Sequence, residues 1–268
     1  MEKVVDISYL ELFLGYVLMI IPIIVFWHYK TGLVKDTIIS VLRMTIQLLL
    51  VGVYLEYIFE LNSIAVNIAW VIFMSLIATY TIIQRSGLKF KLFFFPILLA
   101  GIISIAVTDM YFLGFVIKLN NIFDARYFIP ITGMLLGNTI KNVILTLDGY
   151  YKKIDEEQNI YRWHLANGAS RKEAILPFIR DGLRIAFNPM IATTSIMGLI
   201  SLPGMMTGQI LGGSNPNTAV KYQIMLIITI FSSAILIVFL TIIFSNKIAF
   251  DNFGNLKRNI FRQQTTNR

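Results

Sequence analysis

Residues Tyr222–Phe244 read YQIMLIITIFSSAILIVFLTIIF, an apolar run without a charged side chain. A helix that crosses the hydrocarbon core of a membrane needs about 20 apolar residues, and this run is long enough. The whole chain of 268 residues is 56% hydrophobic and 14% charged, with a mean hydropathy of +0.71. Soluble domains carry about 25% charged residues. The run and the composition predict an integral membrane protein without a large soluble domain.

Six further apolar runs precede this one, and each is near or above the length of a membrane span. The sequence therefore predicts an all-α integral membrane protein of about seven transmembrane helices. No repeat or linker divides the chain, so residues 1–268 form a single predicted transmembrane domain. The six runs are Tyr9–Trp27, Ile38–Phe59, Ser63–Ile83, Leu92–Ile117, Tyr127–Leu147 and Leu183–Leu202.

The 23 Lys and Arg residues lie mostly between the apolar runs, so the formal charge of +8 forms no single basic face for nucleic acid. Basic residues are retained on the cytoplasmic side of membrane proteins. If the N-terminus is outside, most of them fall on the cytoplasmic side, which includes a tail ending at Arg268. The predicted orientation has the N-terminus outside and the C-terminus in the cytoplasm. The external segments then hold only Lys3, Lys118, Arg126 and Lys221.

One long connection, residues 148–182, is the soluble-looking segment of the chain. Gly168 is expected to bend the backbone there. Ser170 and Glu173 fit a capping box, in which the Ser hydroxyl and the Glu carboxylate satisfy free amides in the first turn of a helix. The pattern predicts a short cytoplasmic helix that begins at Arg171, between the fifth and sixth spans. A loop helix that merely joins two spans is the alternative interpretation.

The fifth span is the most polar of the predicted helices. Gly133 and Gly137 form the small-xxx-small pattern that is typical of close helix packing. Asn138, Lys141 and Asn142 lie next to this pattern. The fifth span is therefore predicted to line a helix interface or a substrate pathway.

Two other spans contain polar candidates for a pathway. Arg43 and Gln47 lie one turn apart in the second span, although Arg43 could instead snorkel to the lipid headgroups. Asp109 is the only carboxylate well inside an apolar run, although it could instead be a structural partner for a neighbouring cation. Because Arg43 and Lys141 lie in the cytoplasmic third of their spans, they predict an entrance that favours an anion or an anionic metal complex over a bare divalent cation.

A Gly- and Pro-rich segment, residues 203–221, separates the last two runs and is predicted to be an external or re-entrant loop. Such density breaks a continuous helix, and irregular backbone at membrane depth must face protein or a water-filled cavity. Gly208 and Gly212 are expected to allow close backbone approach or unusual dihedral angles. Gln209 completes the predicted pathway.

The sequence lacks the motifs of an enzyme or a metal centre. It has no phosphate-binding G-x-x-x-x-G-K-[ST] motif, so the chain cannot be an ATPase of that type. It has no Cys, and its two histidines, His28 and His164, fall outside the apolar runs. Met205 and Met206 are soft metal ligands by type, but adjacent residues of a helix point in different directions. We therefore expect no catalytic residue and no metal site in the chain.

Several of these blocks resemble the FetB-like iron-export ABC permease family, which is related to the plant aluminium-tolerance half-size ABC permeases. The signature-like block is LPGMMTGQILGGSNP at Leu202–Pro216, followed by AVKYQIM at Ala219–Met225. Its signature residues are Pro203, Gly204, Met205, Met206, Thr207, Gly208, Gln209 and Gly212. The other similar blocks are Arg43-x-x-x-Gln47-Leu48, the stretch Ala125–Asn138, and Gly168-Ala169-Ser170 with Ala174 and Pro177.

The resemblance implies a half-size permease of the cell membrane that pairs with a separate FetA-like ATPase. ATP and Mg would bind that partner, and two copies of each chain would form an A2B2 complex that exports its substrate from the cytosol. Members of the family are associated with iron efflux in bacteria and with aluminium tolerance in plants, so the substrate stays open. The residues implied in ATPase coupling are Gly168, Ala169, Ser170, Glu173 and Pro177.

Two other classes of function compete with an ABC permease. A secondary transporter or channel would need no ATPase, and it would normally show coupling acids or inverted repeats at the membrane midplane. An intramembrane enzyme would need paired acids or a His-metal cluster in the spans. A lone Asp109 and the absence of such pairs weigh against both classes.

The orientation can be tested with single cysteines, because the chain has none of its own. We expect Ser214→Cys to react with a membrane-impermeant thiol reagent added outside intact cells. Asn159→Cys should react only after the membrane is opened, because residues 148–182 are predicted to be cytoplasmic. The reverse pattern would contradict the orientation.

Overall fold

The computed structural model describes residues 8–251 and 254–262, and these are almost entirely helical. The described residues form isolated β-bridges but no strand, which confirms the all-α prediction. Two π-helical segments, Met110–Val116 and Asp148–Lys152, extend the fifth and sixth helices. The helices in chain order are α1 Tyr9–Val17, α2 Ile20–His28, α3 Val34–Leu61, α4 Ile64–Ser86, α5 Phe90–Asp109, α6 Ala125–Leu147, α7 Lys153–Glu156, α8 Gln158–Ala166, α9 Arg171–Ser195, α10 Gly204–Leu211 and α11 Pro216–Ala249.

Six helical stretches of the described chain are long and apolar enough to cross a membrane. They coincide with six of the predicted runs. The remaining run, Leu183–Leu202, is not among them. Its first part belongs to α9, which ends at Ser195, and the rest of the run is irregular. The count of seven is therefore not confirmed, whereas a multi-pass membrane protein is. The six stretches are Tyr9–His28, Val34–Leu61, Ile64–Ser86, Phe90–Val116, Ala125–Glu156 and Pro216–Ala249.

Helix α9 begins where the capping box predicts, but it is not short. The Ser170 hydroxyl accepts a hydrogen bond from the Glu173 amide at 3.3 Å, and the Glu173 carboxylate accepts one from the Ser170 amide at 2.7 Å. The helix then continues for 25 residues, through Pro177 and Pro189. Proline is tolerated inside membrane helices when other groups satisfy the freed carbonyls. One continuous helix thus joins the predicted coupling segment to the predicted sixth span.

Four helices, α4, α5, α6 and α11, form the core of the bundle. Both α4 and α11 pack against α5 and α6. The contacts are mainly aliphatic, and Leu135 of α6 and Ala234 of α11 are fully buried. Ser104 of α5 donates a hydrogen bond to the carbonyl of Ser233 in α11 at 3.0 Å. This core fixes α6, which α9 then packs against.

The first three helices form an arm that hardly contacts the core. α1 is tied to α3 by a 2.5 Å hydrogen bond between the hydroxyls of Tyr16 and Thr45. α3 packs on the core only near its C-terminal end, where Ile58 is buried with Ala125 and Ile129 of α6. The spans of the arm present apolar side chains outward along most of their length. Such a surface suits contact with lipid or with another protein chain.

The predicted cytoplasmic end is closed by the tail of the chain. Tyr151, fully buried after α6, donates to the side-chain oxygen of Asn246 in α11 at 3.1 Å. Tyr161 of α8 donates to the carbonyl of Gly254 in the tail. The amide of Lys89, between α4 and α5, donates to a tail carbonyl at 2.8 Å. The tail therefore links α8 to the core of the bundle.

Two basic residues that contribute to the predicted charge bias, Lys3 and Arg268, lie outside the described residues. The same holds for most of the external N-terminal segment. The orientation thus stays a prediction from charge, and the described chain fixes only which helix ends meet. The C-terminal ends of α5 and α9 lie with the N-terminal ends of α6 and α11, at the end predicted to face outside.

The contact between α6 and α9 predicts a clear effect of one glycine. A Cβ atom at Gly182 would lie 3.0 Å from the Thr146 carbonyl oxygen, whereas one at Gly52 of α3 would meet nothing within 4 Å. Overpacking a tight contact costs about 1–3 kcal/mol. We expect Gly182→Val to lower the thermal midpoint in detergent and Gly52→Val to leave it nearly unchanged. Equal midpoints for both variants would contradict this close approach.

Candidate functional site

The outer end of the bundle contains a cavity between α6, α10 and α11, which we call the outer cavity. Its volume is about 270 Å³, slightly below the usual range for small-molecule sites. Gln209 contributes a buried side-chain oxygen that has no hydrogen-bond partner. The polar residues of its lining are Arg126, Tyr127, Gln209, Ser214, Thr218 and Tyr222, and the apolar ones are Phe112, Pro130, Ile131, Met205 and Leu226.

The signature segment is more regular than predicted, because Gly204–Leu211 forms the helix α10. Neither Gly208 nor Gly212 has an unusual dihedral angle, and the expected close backbone approach holds at Gly212, where a Cβ atom would lie 3.2 Å from the Gly208 carbonyl oxygen. Gly208 is helical, and a Cβ atom added there would meet nothing within 4 Å. The residue with left-handed backbone is Gly213, with φ of +91°. Glycine at 213 lets the chain leave α10 and enter α11 without steric cost.

The two methionines of α10 face different cavities, as adjacent helical residues must. Met205 lines the outer cavity. Met206 is buried and lines a second, mainly apolar cavity of about 510 Å³ between the end of α9 and α11. Gln223 of α11 lines that second cavity with a buried, unpartnered oxygen. The segment α10 thus separates two spaces, each with one unsatisfied amide oxygen.

Asp109 lies within the helix core beside the outer cavity and does not line it. It ends α5, just before the π-helical segment, and is 1% exposed. Its Oδ2 accepts a 2.6 Å hydrogen bond from the Thr132 hydroxyl of α6, and its Oδ1 has no partner. No cationic side chain of the described residues forms an ion pair with it. The geometry places Asp109 in a structural contact between α5 and α6.

A stripe of polar and small residues runs along the uncovered faces of α6 and α9, and we call it the polar stripe. Gly137, Asn138 and Lys141 of α6 are exposed, as are Arg184 and Asn188 of α9. Asn142 instead turns into the contact between the two helices, where its amide donates to the Met190 sulfur at 3.2 Å. The chemistry of this stripe is poorly suited to lipid.

The remaining predicted pathway residues lie apart from both spaces. Arg43 and Gln47 are exposed on α3, about 22 Å and about 16 Å along the helix from its contact with α6 at Ile58. In a single copy of the chain they contact neither the outer cavity nor the polar stripe. Of the glycine pair in α6, a Cβ at Gly133 would meet Met74 at 3.0 Å, whereas one at Gly137 would meet nothing. Close packing therefore holds at Gly133 alone.

The predicted coupling residues form the turn and first helical turns of α9. Gly168 has a φ of +86°, so it bends the chain as expected. Hydrogen bonds from the Ser170 side chain and backbone hold the pKa of Glu173 below its usual value. Ala169 lies in the same bend, and Pro177 lies within the helix. Nearby, α8 exposes two large apolar side chains, Ile160 and Trp163.

Some residues of this site escape prediction from the sequence. Nothing in the sequence distinguishes Thr132 from other hydroxyl residues of membrane helices. Arg184 directly follows a charged segment predicted to be cytoplasmic, so the sequence does not mark it as a residue of a span. Asn188 and Gln223 sit singly among apolar residues. The helical period does predict that Arg184 and Asn188, which are four residues apart in α9, lie on the same face of the helix.

Nothing in the described residues forms a resident metal centre. No group of three or more His, Cys, Asp or Glu side chains there is placed to hold a metal ion. The arrangement therefore offers hydrogen bonds and positive charge to a ligand, together with apolar walls.

Comparison with known proteins identifies similar chains. A model of an uncharacterised protein family, UPF0014, matches residues 9–250. The chain is 34% identical to the probable iron export permease protein FetB of Escherichia coli K12, over 84% of the chain and 85% of that protein. It is 29% identical to the membrane protein YjkA of Bacillus subtilis, over 85% and 90%. It is 32% identical to protein ALUMINUM SENSITIVE 3 of Arabidopsis thaliana, over 78% and 75%. No solved structure matches.

The contact between Asp109 and Thr132 predicts a measurable loss of stability. Thr132→Val removes the hydrogen bond that the structure gives the buried carboxyl group, and an unsatisfied buried polar group costs about 1–3 kcal/mol. Thr139→Val is a matched control, because Thr139 is buried on the same helix and bonds only a carbonyl of its own helix. We expect a lower thermal midpoint for Thr132→Val than for Thr139→Val. Equal midpoints would show that the hydrogen bond contributes nothing specific.

Proposed function

The chain belongs to the UPF0014 family of membrane proteins, and on that premise we propose that it is the permease subunit of an ABC exporter. In this proposal a separate FetA-like ATPase binds and hydrolyses ATP, and two copies of each chain form the complex. The substrate is a metal such as iron or a metal-related small solute. The names of the relatives from Escherichia coli and Arabidopsis thaliana, which refer to iron export and to aluminium sensitivity, support that class of substrate.

The continuous helix α9 is the observation that carries the proposal. It starts at Arg171, in a segment outside the apolar spans, and it reaches Ser195 at the opposite end of the bundle. At 1.5 Å per residue its 25 residues measure about 37 Å, which is enough to cross the hydrocarbon core. A displacement imposed at its first turn would move the whole helix. An ATPase that grips this end could thus change the far end directly.

The surface around the start of α9 suits a soluble protein partner. Lys153 of α7 and Asp181 of α9 form an ion pair of 2.5 Å between these two helices. Ile160 and Trp163 of α8 are 50% and 63% exposed on a helix that is not among the candidate spans. Aromatic side chains flanked by polar residues are common anchors of protein interfaces. We place the ATPase on this surface.

The polar stripe supports a pathway between two copies of the chain. A basic residue that faces lipid is unfavourable, with a cost that reaches roughly 2.5 kcal/mol or more at the membrane centre, so Lys141 and Arg184, in the cytoplasmic part of their predicted spans, favour water or protein. A second copy that presents the same stripe would enclose a polar channel. The arm α1–α3 would remain outside, where its apolar side chains meet lipid.

A secondary transporter or channel is the competing proposal. It would use an accessible acid for coupling, and Asp109 is the obvious candidate. Because Asp109 is 1% exposed and bonded to Thr132, it lines neither the outer cavity nor the polar stripe. The ABC permease therefore accounts better for the described contacts.

The coupling surface predicts weakened binding when the cap of α9 is removed. We expect the double variant Ser170→Ala and Glu173→Ala to retain its fold but to co-purify with less FetA-like ATPase, because loss of a cap costs about 1 kcal/mol. The measurement is the ratio of ATPase to permease after purification in detergent. A partial loss, of about fivefold, is the expected result.

A second capping box provides the matched control. Ser8 and Glu11 form the same reciprocal bonds at the start of α1, at the end predicted to face outside. Ser8→Ala with Glu11→Ala should leave the ratio unchanged. If both double variants bind the ATPase as the unchanged chain does, α9 is not the coupling helix. If the unchanged permease binds no ATPase, the proposed function itself fails.

A further inference from the structure

The outer cavity contains positive charge and no acid. Arg126 is the charged residue of its lining, and hydroxyl and amide groups supply the rest of its polar surface. The cavity lies where α6 begins and α10 meets α11, at the end of the bundle predicted to face outside. In an exporter that end is the exit.

The guanidinium group of Arg126 is free to bind a ligand. The neighbouring carboxylate of Asp124 is already bonded, since it accepts from the backbone amide of Arg126 at 3.0 Å and from the side chain of Asn62 at 3.5 Å. Among the described residues, no carboxylate forms a salt bridge with Arg126. Arginine in such a position binds carboxylate or phosphate oxygens, often through two parallel hydrogen bonds.

The unsatisfied oxygen of Gln209 adds a second requirement. This oxygen is buried without a hydrogen-bond partner, so a ligand in the cavity would donate a hydrogen bond to it. A hydroxyl group or a metal-bound water supplies such a donor. The cavity thus fits an oxyanion that also carries one donor.

The polar stripe, which we propose as the pathway, is equally unsuited to a bare divalent cation. The polar stripe carries Lys141 and Arg184, which repel cations. Asp109, the acid of the four-helix core, is covered by packing. The described residues provide no group of three metal-ligating side chains. A bare divalent cation on this route would therefore meet positive charge, and the described residues offer it no cluster of ligating side chains.

We infer that the outer cavity is an oxyanion site at the exit and that the substrate leaves as an anion, either an organic acid or an anionic metal complex. The inference rests on the proposed function and names the chemical form of its substrate. In this site, Arg126 would bind the negative charge of the ligand, and the Gln209 side-chain oxygen would accept a hydrogen bond from the ligand's donor group.

The test compares an anionic with a cationic form of iron. Permease and ATPase are reconstituted in vesicles of phosphatidylcholine, and ATP hydrolysis is measured with ferric citrate or with Fe²⁺ kept reduced by excluding oxygen. We expect ferric citrate to stimulate hydrolysis and Fe²⁺ to do so at least several-fold less. Arg126→Gln should raise the half-maximal concentration of ferric citrate about tenfold, the loss of one charged hydrogen bond.

Lys118→Gln is the matched control, because Lys118 is a basic residue of the same external side that does not line the cavity. Its response should equal that of the unchanged chain. Equal or stronger stimulation by Fe²⁺, or an Arg126→Gln response that matches Lys118→Gln, overturns the inference. Co-purification of the ATPase is measured on the same samples, so failure of the proposed function is seen separately as lost association.

A lipid phosphate is the other source of an oxyanion at this depth. Vesicles that contain phosphatidylglycerol separate the two sources. If Arg126→Gln changes hydrolysis only in those vesicles and without ferric citrate, the cavity holds a lipid headgroup and the exported anion is excluded. An effect that requires ferric citrate in phosphatidylcholine alone supports the inference.

Discussion

Hydrocarbon offers no hydrogen bond, so every polar group at membrane depth must be paired inside the protein, covered by another chain or reached by water. This constraint sorts the polar residues of the structure into two sets. Ser104, Ser233 and Thr132 are buried and paired between helices. Asn138 and Lys141 lie on a face that no described residue covers. The first set adds polar contacts to the mainly aliphatic four-helix core, and the second set lies on the face where we propose that a second copy packs.

The same constraint gives α9 its role. Its first half is too charged for lipid, and the remainder carries Arg184 and Asn188 on one exposed side. Its opposite side is held on α6 by the close approach of Gly182 to Thr146 and by the Asn142 contact with Met190. The helix is therefore fixed to the core along one face only. The other side carries Arg184 and Asn188 together with the exposed Ile185 and Ile191. A rigid helix that is bound on one side only is suited to carry a displacement from a cytoplasmic partner into the proposed pathway.

Sequence patterns predicted what depends on local chemistry. The apolar runs gave six of the helical spans, and Ser170 with Glu173 marked the start of α9. The patterns failed where packing overrides local propensity. The predicted short helix at Arg171 and the start of the predicted sixth span form one helix, α9, which continues through Pro177 and Pro189. The glycines of Gly204–Leu211 suggest a loop where α10 forms. The outer cavity joins residues from α6, α10 and α11, so no single segment of the sequence could reveal it.

The central claim is that the exposed face of α9 meets water and not lipid, and a single cysteine at Asn188 tests it most directly. The control is a cysteine at Phe239, which is 57% exposed on the apolar α11. In membranes that contain the assembled complex, the account predicts reaction of Asn188→Cys with a small charged thiol reagent and none of Phe239→Cys. If Asn188→Cys is as unreactive as Phe239→Cys, α9 faces lipid or a dry interface and the pathway proposed here is contradicted.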